Sequence, residues 1–205
     1  MKRKSYTDAL TTLAKGTDAG LYRLIPERVE IVNSEAEVQE VLAECRSAGK
    51  PLTFKAGGTS LSGQTITDSV LVEIGPDFGK TKISEDGRLA TFPCGITGDH
   101  ANRLLKRYGR KLGPSPASIK SARISGIVAN NASGSSYGIT YNSYHTVHSM
   151  RLILSDGTLL DTASAESRRH FAESHPEWVD GLLALLERVK QNPEMEARIR
   201  HKYEL

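Results

Sequence analysis

Two adjacent glycines stand directly behind a short strand-like run in Leu52-Thr53-Phe54-Lys55-Ala56-Gly57-Gly58-Thr59-Ser60-Leu61-Ser62-Gly63-Gln64. This loop constrains the fold more than any other feature of the chain. Glycine has no Cβ, so the pair permits positive φ and close approach by another backbone or a ligand. Successive exposed N–H groups in such a loop form a nest for an anion. The hydroxyls of Thr59, Ser60 and Ser62 add donors. A diphosphate is the natural guest. The loop lacks the lysine of a G-x-x-x-x-G-K-[ST] phosphate loop and the spacing of G-x-G-x-x-G, which argues against ATP hydrolysis and against a simple NAD site. Taken alone, a tight turn between strands is the plainer reading.

The flanking sequence supplies the frame. Arg28–Val32 reads as a strand. A helix follows, with Ser34 as N-cap, Glu37 completing a capping box and Gly49 as the stop. Val38, Val41 and Leu42 recur in it at helical spacing. Leu52–Lys55 is the next strand, and strand–helix–strand at this length predicts a βαβ unit with a parallel pair. Val70–Ile74 and Arg88–Phe92 read as further strands. Thr97 caps a helix predicted to run to Tyr108 and to close at Gly109. Met150–Leu154 and Thr158–Asp161 flank Ser155-Asp156-Gly157, a hairpin turn. From about Glu166 the pattern is helical, with Trp178, Leu182, Leu183, Leu185 and Leu186 as an apolar stripe. The predicted class is α+β: a βαβ half, a more antiparallel half, then C-terminal helices.

A second unusual segment is Gly113-Pro114-Ser115-Pro116-Ala117-Ser118-Ile119, continued by Ile124-Ser125-Gly126-Ile127-Val128-Ala129-Asn130-Asn131-Ala132-Ser133-Gly134. The prolines stiffen an extended run. The small residues after them leave a surface on which a flat group can lie against the main chain. Asn130, Asn131 and Ser133 are donors for a polar heterocycle. A long polar loop inside a compact domain is usually functional, with a plain surface loop as the alternative.

Charge points the same way. From His100 to Ser155 the chain carries no acid, yet it holds Arg103, Lys106, Arg107, Arg110, Lys111, Lys120, Arg123 and Arg151. Those eight, out of 27 basic side chains, leave 19 against 24 acids elsewhere, a net of −5 outside the window. A cationic window in an otherwise acidic chain suggests an anionic ligand. For Arg103, Lys106, Arg107 and Arg110, a solvated helix face is an equal reading. Tyr108, Tyr137, Tyr141 and Tyr144 form no RNP-like pattern, so no nucleic-acid partner is expected.

The chain of 205 residues, 38% hydrophobic, suits one large domain or two small ones. No apolar run reaches the ~18 residues that would span a bilayer, and Met1–Asp8 leads into no signal-peptide core. The expected location is the cytoplasm, the whole enzyme being free to attach peripherally to the inner membrane. Cys45 and Cys94 lack C-x-x-C spacing, so two buried free thiols are expected and no metal site.

Together, Phe54–Gly63 and the stretch from Gly113 to Gly134 resemble the FAD-linked oxidases of the vanillyl-alcohol-oxidase/PCMH flavoprotein family. Within it, the similarity is greatest to bacterial D-lactate dehydrogenases and the glycolate oxidase flavin subunit. The resemblance covers about residues 20 to 165. It implies a PCMH-type FAD-binding domain of two α+β subdomains, about residues 20–80 with the diphosphate loop and about 81–165, with the FAD between them. A helical tail from about 166 to 205 would lead to a further substrate domain. By that analogy Gly57, Gly58, Thr59, Ser60 and Leu61 hold the pyrophosphate. Pro114, Ala117, Ser118, Ser125, Gly126, Asn130 and Ser133 line the flavin and ribityl chain. Members with covalent flavin often carry a histidine after the glycine pair; Thr59 stands there, which implies non-covalent FAD.

The activity implied is oxidation of a 2-hydroxy acid such as D-lactate or glycolate by hydride transfer to FAD. A module that binds FAD or another nucleotide without chemistry of its own is the alternative. The chain closes at His201-Lys202-Tyr203-Glu204-Leu205 without a cap or closing strand, and a C-terminal cap domain is expected beyond it. Some relatives also carry an iron–sulfur part, which two cysteines cannot supply. No catalytic residue is assigned. Of the nearby histidines, His145 and His148, ordinary structural roles are expected.

Overall fold

The computed structural model describes residues 3–134 and 138–203; residues 1, 2, 135–137, 204 and 205, with Tyr137 among them, lie outside the described residues. The chain divides into two compact units. One comprises residues 1–147 and 155–157, the other residues 148–154 and 158–205.

The first unit is built on a four-stranded sheet of β1 (Lys4–Tyr6), β2 (Arg28–Val32), β3 (Leu52–Lys55) and β4 (Val70–Ile74), in the order β1-β2-β4-β3. β2 and β3 are parallel, as the strand–helix–strand spacing predicts, but they do not pair with each other. Each pairs with β4, with Leu71 opposite both Val29 and Thr53. The burial pattern explains the insertion. Val70, Leu71 and Val72 are all buried, so both faces of β4 are covered and it belongs in the interior of the sheet. β3 carries the exposed Phe54 and takes the edge.

Helix α2 (Glu35–Ser47) covers the sheet with Val38, Val41, Leu42 and Cys45, all buried. Its start follows the predicted cap with one change. Ser34 Oγ accepts from Glu37 N at 3.2 Å, but the Glu37 carboxylate accepts from Asn33 N at 2.7 Å, one residue earlier than a capping box requires. Its end is the predicted one, with Gly49 left-handed at φ +63°.

β1 and α1 (Ala9–Lys15) were not legible in the sequence. β1 pairs antiparallel with β2, and α1 is capped by Asp8, whose Oδ1 accepts from Thr11 N. The predicted strand Arg88–Phe92 shrinks to β6 (Ala90–Thr91), paired with β5 (Lys82–Ile83). The reason is local: Asp86 accepts from Ser84 Oγ and Arg88 N, and Ser84 N donates to Leu89 O, so a tight turn consumes the strand's first half.

α3 (Gly98–Leu105) begins at Thr97, whose Oγ1 accepts from His100 N. A 3₁₀ turn over Lys106–Tyr108 and the left-handed Gly109 complete it. Arg103, Lys106, Arg107 and Arg110 lie on the exposed surface, and Arg103 pairs with Asp99 at 3.1 Å, which is the solvated-face arrangement. Two short helices follow, α4 (Ile124–Ala129) and α5 (Ser143–Thr146). The stretch read as one long loop therefore contains α4.

In the second unit β7 (Arg151–Ile153) and β8 (Leu159–Asp161) form the expected antiparallel hairpin. α6 (Ala165–Ser174) packs on β8, and α7 (Pro176–Lys190) and α8 (Pro193–Lys202) follow. The apolar stripe of α7 is not core: Trp178, Leu182, Leu183, Leu185 and Leu186 are all exposed. Among the described residues no helix is long and apolar enough to cross a membrane.

A carboxylate sits in the core of the first unit. Glu30, on β2, is 0% exposed. Arg28 Nε lies 3.0 Å and Arg3 Nε 3.3 Å from its carboxylate, and Ser5 Oγ donates to it at 2.8 Å. Removing a buried partner strands the remaining charges. Glu30→Ala is therefore expected to cost about 3 kcal/mol of stability, read as a lower urea midpoint at unchanged slope. A midpoint equal to the parent's would overturn this account of the sheet.

Candidate functional site

The glycine loop leaves the C-terminal end of β3, the end of parallel strands at which ligands of open α/β sheets bind. Gly58 is left-handed at φ +61°, as the glycine pair predicts. Among the described residues no hydrogen bond takes up the amide N–H groups of Gly57, Gly58, Thr59 or Ser60. Four consecutive unclaimed donors are what an anion-holding loop presents. Ser60 is buried and its carbonyl accepts from Ala19 N at 3.1 Å, which ties the loop to the segment after α1. Leu61 is 71% exposed.

The second segment meets this loop through backbone. A Cβ on Gly57 would stand 2.4 Å from Ser121 O and 3.3 Å from Ala122 Cα. A Cβ on Gly126 would stand at ordinary contact distance, 3.4 Å, from Ala56 Cβ. Residues more than sixty positions apart in sequence thus share one surface, a convergence that motif spacing alone does not show. The segment's two ends are also joined: Ser115 N donates to Ser133 O at 2.6 Å, and a Cβ on Gly134 would stand 2.3 Å from Ser115 O.

The remaining nominated residues divide by what they touch. Pro114 is buried. Ala117, Asn130 and Ser133 are exposed. Ser118 is half-buried, and its carbonyl accepts from Ser121 N and Ala122 N at 2.8 Å each. Ser125 Oγ and N both point to Cys94 O at 3.1 Å, so this hydroxyl is engaged within the protein. Asn131, considered as a donor, sits at φ +45° with its Oδ1 accepting from Tyr144 N. It serves the turn into α5. Ser143, not foreseen, is 2% exposed and donates to Ile127 O at 3.0 Å, closing α4 against α5. Lys55, at the head of the loop, is buried directly behind it.

The two histidines are exposed. His145 Nδ1 contacts Ile139 O at 2.9 Å, and His148 Nδ1 contacts Ser149 Oγ at 3.4 Å. Cys45 is buried as expected, whereas Cys94 is half-buried; both are free thiols. Burial pushes the Cys94 thiol up to about 11. A cleft of about 270 Å³ lined by Arg28, Glu44, Cys45 and Lys50 shares no residue with either segment. Among the described residues no cluster of His, Cys, Asp or Glu has metal-binding geometry.

A loop of unclaimed amides beside a glycine-lined backbone surface is the kind of place where a nucleotide cofactor can sit. The family model described as FAD binding domain matches residues 26–163, and the chain belongs to that family. Its ligand is FAD, and the chain is an FAD-binding domain. The D-2-hydroxyglutarate dehydrogenase of Pantoea ananatis is 25% identical over 199 residues, covering 95% of this chain and 18% of that protein. The Escherichia coli protein of the same name is 26% identical over 162 residues, 77% of this chain and 16% of the relative. The D-lactate dehydrogenase of Archaeoglobus fulgidus is 29% identical over 133 residues, 63% of this chain and 29% of that one. The chain thus spans less than a third of the length of each of these relatives. Among solved structures, Physcomitrella patens BBE-like 1 superposes with a TM-score of 0.66 at 17% identity, over 78% of this chain and 35% of that one. An alkyldihydroxyacetonephosphate synthase gives 0.64 at 18%, over 80% and 32%. These two structures share the α+β fold with this chain.

The backbone contact between the two segments sets a paired expectation. Gly57→Ala drives a methyl into the Ser121 carbonyl and is expected to cost about 1–3 kcal/mol. Gly126→Ala, on a helix with room for the methyl, is expected to be neutral or to stabilise by up to about 1 kcal/mol. Thermal unfolding of the two variants side by side decides. Equal effects would mean that the segments do not meet as described.

Proposed function

We propose that Gly57, Gly58, Thr59, Ser60 and Leu61 hold the diphosphate of FAD. Pro114, Ala117, Ser118, Ser125, Gly126, Asn130 and Ser133 line its flavin and ribityl chain. The observation that carries this reading is the meeting of four unclaimed amides with a glycine-lined backbone surface in one place. FAD fits this arrangement chemically. Anionic phosphates match the free N–H groups, and a flat ring system matches a surface of glycines and small side chains. The role of Ser125 is through its backbone and position, since its hydroxyl is bonded to Cys94 O. Residues of about 20–80 and about 81–165 are read as the two subdomains that take the two ends of the cofactor.

The FAD is held without a covalent link. Thr59 stands where covalent members carry histidine, and the nearby Cys94 keeps its proton at neutral pH, which makes it a poor nucleophile. Flavin titrations test the site. FAD is expected to bind at least about tenfold more tightly than FMN, because FMN lacks the ADP half that the loop would grip. Equal or tighter binding of FMN would overturn the assignment of the loop.

The whole enzyme is read as a dehydrogenase of D-2-hydroxy acids. Support comes from relatives named for D-2-hydroxyglutarate and D-lactate, whose substrates share a hydroxyl beside a carboxylate. FAD supplies hydride acceptance when bound. This chain's own residues bind and orient it. Oxidation also needs a base for the hydroxyl proton and reacting atoms held about 3–3.5 Å apart. The segment from His100 to Ser155 contains no carboxylate side chain, and the Nδ1 of His145 is engaged by Ile139 O. The FAD-loaded chain of 205 residues is therefore expected to give no sustained turnover of D-lactate, D-2-hydroxyglutarate or glycolate with an artificial electron acceptor. Turnover that survives repurification would place the base inside these residues.

A further inference from the structure

Lys55 is the last residue of β3 and is 7% exposed. Its Nζ donates to Lys15 O at 2.7 Å and to Thr17 O at 2.6 Å. Lys15 ends α1, so the ammonium satisfies a carbonyl that the helix leaves without an internal partner. The same side chain runs under the glycine loop: a Cβ on Gly58 would stand 3.0 Å from Lys55 Cε. Among the described residues no carboxylate forms an ion pair with Lys55. Glu73, opposite Lys55 on β4, is engaged by Lys15 Nζ at 2.7 Å. A buried cation bonded only to neutral carbonyls is costly, and proteins retain such a charge where an anion completes it.

We propose that Lys55 is a positioning residue of the cofactor site, holding the glycine loop against the end of α1 and presenting its charge to the diphosphate above the loop. This rests on the reading of Gly57–Leu61 as the diphosphate loop. The geometry does two things at once. The two carbonyl bonds fasten residues 15–17 to the end of β3. The Ala19 N to Ser60 O bond fastens the next part of that segment to the far side of the loop. The loop is thus clamped at both ends with its amides unclaimed, and the Lys55 ammonium lies beneath it. Burial lowers the Lys55 pKa below the ordinary lysine value; Glu73 on β4 and Asp18 after α1 act against this, and Lys15 on α1 adds to it. The charge is therefore lost as pH rises, earlier than for a surface lysine, and anion affinity falls with it.

The test compares ADP and FAD binding by calorimetry in the whole chain and in Lys55→Met, Lys55→Arg and Gly58→Val. ADP isolates the diphosphate half, and its phosphates remain ionised throughout the alkaline range. Lys55→Met is expected to bind both ligands roughly 10- to 30-fold more weakly, the effect of losing one charge near a diphosphate in a partly screened site. Lys55→Arg keeps the charge and is expected to recover most of that affinity. The parent should lose ADP affinity as pH rises through the alkaline range below an ordinary lysine's pKa, and Lys55→Arg should lack that step, since arginine does not titrate there. If Lys55→Met does not fold, the parent's pH profile and its disappearance in Lys55→Arg decide the matter. Undiminished binding in Lys55→Met, or an unchanged pH step in Lys55→Arg, overturns the role given to Lys55. Undiminished ADP binding in Gly58→Val, a β-branched residue forced to positive φ, overturns the loop assignment itself.

Discussion

The carbonyl oxygen of Ser121 occupies the space that a Cβ on residue 57 would need, and much of the first unit is arranged around that backbone-to-backbone contact. On one side it holds the glycine loop at the end of β3. On the other it holds a strip of chain from Ile119 to Ser125 that is itself sewn into its surroundings. Gly98 N donates to Ala122 O, Asp99 N to Ile119 O, Ile124 N to Ile96 O and Ser125 N to Cys94 O. The start of α3 therefore rests on the same strip that backs the loop. Gly98 obeys the same constraint, since a side chain there would collide with Ile119 and Ile127. Gly57, Gly98 and Gly126 let these backbones pack without a side chain between them.

The sheet explains why the loop is available at all. With β4 between β2 and β3 and all three parallel, their carboxyl ends lie on one side, and the connection leaving β3 emerges there. An antiparallel hairpin would have used those amides within the ladder. The short β1 closes the opposite edge and brings Arg3 to Glu30, so that the buried carboxylate of β2 has two guanidinium partners.

Two buried charges then stand in instructive contrast. Glu30 is compensated from within the protein and is a matter of stability. Lys55 meets only carbonyl oxygens, and its charge lies against a loop with four unclaimed donors. Burial of an ionised group is tolerable in either case only because polar partners surround it. The difference lies in which partner is left to be supplied from outside.

Local signals were legible from the sequence alone. The strand at Arg28–Val32, the Ser34 cap and Gly49 stop of α2, the Thr97 cap of α3, the β7–β8 hairpin and the positive φ of Gly58 are each written within a dozen residues. They depend on period, capping and turn chemistry, which a short stretch of chain carries in full. Pairing across the chain is different. That β4 inserts between β2 and β3, that β1 and α1 form, that the strand at Arg88 yields to a turn, and that the Ser125 hydroxyl bonds to Cys94 O all depend on which distant groups arrive alongside. The same holds for the site. Its two segments were visible as glycine-rich and small-residue runs, but their meeting at Gly57 and Ser121, and the placement of Lys55 beneath them, are decided by backbone packing. A sequence names the residues able to come that close, and only the folded chain determines which of them do.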